Sequence, residues 1–149
     1  MLSKAAIFNQ SSGEIAPPGP TLGPELVGNG GFDNTNDWKF DRAGWEISGG
    51  TANVTNAASE QYSSIFQTQI ISDSSPVLYR LVVTTLNGNY SGGLQVLLGD
   101  FNTKATITED GIHTFDILSG TSATYLMFRV NPNNSFEGSI DNVSLKEIL

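Results

Sequence analysis

The sequence predicts an all-β domain of the sandwich or barrel type. Two observations carry this. Short runs of alternating apolar and polar residues are separated by turn signals roughly every 8–12 residues. No window shows the 3.6-residue period of an amphipathic helix.

The last stretch, residues 136–148, anchors the prediction. Ile140, Val143 and Leu145 are apolar with polar residues beside them. The alternation is strict from Asn142 onward. Between Ile140 and Val143 the period slips by one, which predicts a bulge at Asp141-Asn142. A buried terminal strand needs partners made earlier. The one expected is residues 25–32, read as a first short strand ending in the turn-forming Gly-Asn-Gly-Gly at 28–31. Residues 25–149 then form one β-domain closed by its two ends.

The intervening elements follow in order. Residues 38–40 and 45–47 are short alternating pieces around Asp41-Arg42-Ala43-Gly44. Ser-Gly-Gly at 48–50 turns the chain into a short strand at 51–55. Residues 63–71 read as a longer strand, ended by Asp-Ser-Ser-Pro at 73–76. Residues 77–86 are rich in Val, Thr and Tyr, the residues a pleated surface accepts best. Asn87-Gly88-Asn89 reads as a hairpin turn to the strand 94–98. Strands at 103–108, 112–118 and 125–130 follow, with turns at 109–111, 119–122 and 131–134.

Residues 1–24 are of a different kind. Ile7, Phe8 and Ile15 are isolated apolar residues, followed by Ala-Pro-Pro-Gly-Pro-Thr-Leu-Gly-Pro at 16–24. Proline fixes φ and removes donors, so this arm is expected to be extended. Ordering it costs less entropy than ordering a Gly/Ser segment. Ile7, Phe8, Ile15, Pro17, Pro18 and Leu22 are therefore the residues expected to engage a neighbouring subunit. The alternatives are an arm folded back on its own domain and a flexible linker.

Composition narrows the function. The 149 residues carry a formal net charge of −8, with seven Lys and Arg scattered along the chain. Phosphate binding needs clustered basic residues, so no nucleic-acid partner is expected. The absence of cysteine excludes disulfides and thiolate chemistry. No apolar run approaches the length of a membrane span, so no membrane partner is expected. Residues 1–8 lack the apolar core of a secretory leader, which points to a product made in the cytoplasm.

The order of the motifs resembles the jelly-roll β-sandwich of carbohydrate-binding modules, in the galactose-binding-like group. The matching residues are Leu-Val-Gly-Asn-Gly-Gly-Phe at 26–32, Gly44-Trp45, Ser-Gly-Gly at 48–50, Phe66-Gln67, Tyr-Arg-Leu at 79–81 and Gly-Ser-Ile-Asp-Asn-Val at 138–143. The resemblance covers residues 25–148. Domains of this kind recur in bacteriophage structural proteins, often behind a Pro/Gly-rich arm. This chain looks like that version. The resemblance thus implies a virion component made in the host cytoplasm. The expected role is a capsid decoration (cement) protein that binds the major capsid protein and copies of itself. A tail or fibre accessory, or a module recognising a cell-surface glycan, is the alternative.

Candidate chemistry is sparse. His113 is the lone histidine, on an alternating strand, and a triad or two-histidine metal site lacks identifiable partners. No carboxylate pair sits in a recognisable acid–base setting, so the chain is not read as an enzyme. In the resembled family a calcium often lies between the first and last strands, which implies Asp141 as a structural calcium ligand. Gly31 stands where that family often has an acidic residue, and hydrogen bonding to the bulge backbone is the other role for Asp141. No other cofactor is expected. Six aromatic residues, Trp38, Trp45, Tyr62, Tyr79, Tyr90 and Tyr125, are candidate sugar platforms. Trp45 is expected in the core. Trp38 and Tyr90, in loop-rich surroundings, are the expected glycan-binding residues.

Overall fold

A computed structural model describes residues 18–55, 62–130 and 136–149 of the chain. Ten strands are assigned among them: β1 (Lys39–Asp41), β2 (Trp45–Ser48), β3 (Thr51–Val54), β4 (Ser64–Gln67), β5 (Leu78–Tyr90), β6 (Leu94–Leu98), β7 (Thr103–Ile107), β8 (Gly111–Leu118), β9 (Leu126–Val130) and β10 (Phe136–Glu147). They form two five-stranded antiparallel sheets, ordered β1-β4-β9-β6-β7 and β2-β3-β10-β5-β8. This is the expected all-β sandwich, with no helix among the described residues.

Alternation along each strand builds the core between the sheets. Ile65, Val96, Leu126 and Phe128 from the first sheet meet Leu81, Val83, Ile140 and Leu145 from the second, all fully buried. The bulge expected at Asp141-Asn142 is present. Asp141 pairs with Thr84 and Ser144 with Val82, so two residues of β10 oppose one of β5. Asn142 takes φ 50° there. The slip lets Ile140, Val143 and Leu145 all stay buried.

Two local expectations are corrected. Asn87-Gly88-Asn89 is not a hairpin turn, because β5 runs through it to Tyr90. The positive φ of Asn87 instead makes a bulge against β10, between the pairs Leu86–Ser139 and Asn89–Glu137. Residues 25–32 are no regular strand. Asn29 at φ 51° curls the chain into a turn, with Phe32 N–H donating to Asn29 O.

That segment still closes the domain as expected. β3 pairs with β10 only over Gly138–Ile140. Beyond it, Val143 N–H donates to Gly30 O, Leu26 N–H to Leu145 O and Gly23 N–H to Glu147 O. Glu25 ties this seam from the side. Its carboxylate accepts from Leu145 N–H at 2.8 Å and from Ser144 Oγ at 2.5 Å, as well as from the N–H groups of Leu26 and Val27. Gln67 of β4 holds the same segment to the other sheet, bonding both Gly28 N–H and Gly28 O.

Burial would raise the pKa of Glu25, but its four hydrogen bonds outweigh that and hold it below the usual glutamate value. A depressed folded pKa contributes stability above the unfolded value and loses it as pH falls through the folded one. Glu25→Gln is therefore expected to be less stable than the parent chain at neutral pH. The gap should narrow steadily as the pH drops below about 4.5, and it should not exceed about 1 kcal/mol because the group is largely solvated. Paired thermal melts from pH 7 to pH 3 check this. A gap that stays constant, or widens in acid, would refute the assignment.

Candidate functional site

Register decides what the outer face of the first sheet displays. One row runs Asp41, Ser64, Arg129, Gln95 and Thr106 across the five strands. The next runs Lys39, Phe66, Met127, Leu97 and Thr103. Ser64 and Leu97 are 1% and 0% exposed although they point away from the core. This face is therefore recessed. A pocket of about 400 Å³ opens on it, with Ser64, Met127 and Arg129 as its floor.

Loops raise the rims. Asp41 and Arg42 end β1, Tyr62 stands two residues before β4, and Phe101 sits between β6 and β7. Register places Tyr62 beyond the Arg129 end of β9 and Phe101 beyond the Leu126 end, so the two rings flank the pocket. Tyr62 is 42% exposed and Phe101 is 73% exposed. Each is braced. Phe101 meets Tyr125 edge-on, with centroids 5.8 Å apart, and the Tyr125 hydroxyl donates to Asp100 O. The Arg129 guanidinium lies 4.9 Å from the Tyr62 ring centre, while its Nε donates to Gln95 Oε1 at 3.0 Å. Arg42 and Tyr62 both take left-handed φ, 69° and 63°. Bulky residues hold that conformation only where their surroundings impose it, as functional sites often do.

Exposed rings at the ends and fixed polar groups between them suit a ligand with apolar faces and polar edges. The described residues contain no cluster of three or more His, Asp or Glu able to hold a metal ion.

The expected site residues fall elsewhere. Trp38 is a correction. It is 5% exposed, packed between Phe32 at 5.1 Å and Phe128 at 6.4 Å, and its Nε1 donates to Asn29 O. It belongs to the core and offers no exposed face as a platform. Tyr90 is half-buried. Its ring packs 4.9 Å from Phe136, and its hydroxyl donates to Asp110, which also accepts from Gly88 N–H. Burial and the Asp110 carboxylate push its pKa up to about 12. Tyr90 thereby secures the β5 bulge, away from the pocket.

Asp141 accepts the N–H of Asn142 at 2.7 Å, at the bulge. His113 is half-buried, its Nε2 within 2.9 Å of Glu109 O and 3.1 Å of Thr85 Oγ1. Pro18 is exposed. Leu22, expected to serve a neighbouring subunit, is half-buried and bridged to Ile148 of its own chain. Ile7, Phe8, Ile15 and Pro17 lie outside the described residues. Trp45 is buried as expected.

Sequence reasoning counted Tyr62 among six aromatics without preferring it, and passed over Phe101, Arg42 and Arg129. For Phe101 a signal existed: Gly-Asp-Phe-Asn at 99–102 is a turn sequence carrying one large apolar residue with no strand to bury it.

The two packed antiparallel sheets form a jelly-roll β-sandwich. No family model and no curated protein matches the chain. Solved structures do. A carbohydrate-binding module of family 29 superposes with a TM-score of 0.55 at 14% identity, over 88% of this chain and 90% of the module. A mutant of CBM29-2 complexed with mannohexaose matches with a TM-score of 0.54 at 14% identity, over 88% and 94%. Another mutant, complexed with cellulohexaose, gives 0.55 at 14% identity, over 86% and 91%. The likeness is one of fold.

Proposed function

We propose that the protein is a non-catalytic carbohydrate-binding module and that an oligosaccharide occupies the pocket on the first sheet. The observation that carries this is the pair of braced, exposed rings, Tyr62 and Phe101, flanking a recessed floor with Arg129 at its centre. Sugar rings offer C–H faces to aromatic side chains and hydroxyls to the polar groups between them. Family 29 modules of the same fold, crystallised with mannohexaose and cellulohexaose, support the ligand class. Docking on a capsid protein, and on further copies through the arm, is favoured by no observation among the described residues. The glycan reading takes its place.

A glycan array probed with the full chain, followed by calorimetry on the best binders, tests the proposal. Tyr62→Ala and Phe101→Ala are each expected to weaken binding about tenfold, in line with one lost stacking contact. Both side chains are exposed, so the melting temperature should hardly move. Binding unaffected by the double variant, or no glycan bound at all, would refute the site.

A further inference from the structure

We infer that the oligosaccharide taken by this pocket carries anionic sugar units, a deepening that rests on the glycan reading above. The chain has a net charge of −8 and only three arginines. Arg80, on the outer face of the second sheet, is paired with Asp116 through two bonds of 2.8 Å. Lys104 is likewise committed to Asp100 at 3.0 Å. The other two arginines, Arg42 and Arg129, both line the pocket.

Arg129 is not neutralised, and Arg42 makes only a long, exposed ion pair. Arg42 approaches Asp41 only to 3.8 Å, beyond hydrogen-bond distance. Arg129 has no carboxylate partner among the described residues. Its Nε is held by Gln95 and its plane lies over Tyr62, which orients the guanidinium. One carboxylate against two arginines leaves the pocket locally cationic in a strongly acidic protein.

One oriented guanidinium without a carboxylate partner, Arg129, beside an aromatic ring and with Arg42 close by, matches an anionic substituent on a stacked sugar. A planar fork donates two parallel hydrogen bonds to a carboxylate or an ester oxyanion, and such charge-assisted bonds are stronger than those to neutral hydroxyls. A neutral glycan would leave this charge without a counterpart. The overall negative charge repels polyanions elsewhere on the surface, so binding of one must be local to the pocket.

The test uses the full chain and calorimetry with four hexasaccharides: hexagalacturonate, sulphated cellohexaose, mannohexaose and cellohexaose. At least one anionic hexamer is expected to bind about tenfold more tightly than either neutral one. Which of the two does so identifies the anion as carboxylate or sulphate ester. Arg129→Gln should abolish that advantage, and Arg129→Lys should retain part of it. Thermal melts confirm that both variants are folded. Neutral hexamers binding as tightly as the anionic ones would overturn the inference and leave the glycan reading intact. Anionic binding unchanged in Arg129→Gln and Arg42→Gln would overturn the inference by placing the charge recognition elsewhere. No hexamer bound by the parent chain would count against both.

Discussion

Trp38→Ala is expected to destabilise the protein by about 3–5 kcal/mol, the usual cost of truncating a buried aromatic residue. In a domain of this size that lowers the melting temperature by roughly 10 °C. Three losses combine. The indole is 5% exposed and belongs to the core, so its removal leaves a cavity there. Its ring contacts with Phe32 and Phe128 vanish, and these join the first segment to β9. The bond from Nε1 to Asn29 O, at the turn that curls residues 28–32, is also lost. Trp38→Phe keeps a ring in place and should cost only about 1–2 kcal/mol, mostly the missing hydrogen bond. Glycan binding by Trp38→Phe should equal that of the parent chain. A folded Trp38→Phe protein without glycan binding would refute a purely structural role for Trp38.

Gly30→Ala is the second large effect, expected at about 3 kcal/mol in urea denaturation. A Cβ on Gly30 would stand 2.0 Å from the carbonyl oxygen of Val143, with Val143 C at 3.1 Å. Both are backbone atoms of the β10 bulge, so no side-chain rotation relieves the contact. The same approach carries the bond from Val143 N–H to Gly30 O at 2.9 Å, and pushing the strands apart breaks it. Gly19→Ala is the control. Nothing lies within 4 Å of a Cβ there, and the change should stay within about 0.5 kcal/mol. Equal stability of the two variants would refute the close approach of the two chain ends.

Much of the fold was legible because alternation is a local property. The one-residue slip between Ile140 and Val143 marked a bulge that the ladder shows opposite Val83. Residues 25–32 were correctly paired with the last strand, yet misread as a strand, because Asn29 at positive φ turns the backbone after only a few bonds. Asn87-Gly88 carried a true signal of left-handed backbone. Sequence alone does not distinguish a turn from a bulge, since both place Asn or Gly at positive φ; the partner strand decides. Trp38 looked exposed because its sequence neighbours are polar. Its burial comes from Phe32 and Phe128, six and ninety residues away.

The sequence by itself determined the all-β class, the positions of most strands, the closing of the domain by its two ends and the absence of thiol chemistry. These rest on alternation, turn residues and composition, which need no knowledge of neighbours. The tertiary structure alone decided the pocket. Asp41, Tyr62, Phe101 and Arg129 come from four separate parts of the chain and meet only because the sheet order is β1-β4-β9-β6-β7. That order and its register set which side chains share the recessed face, and long-range pairing leaves no periodic trace in any one strand.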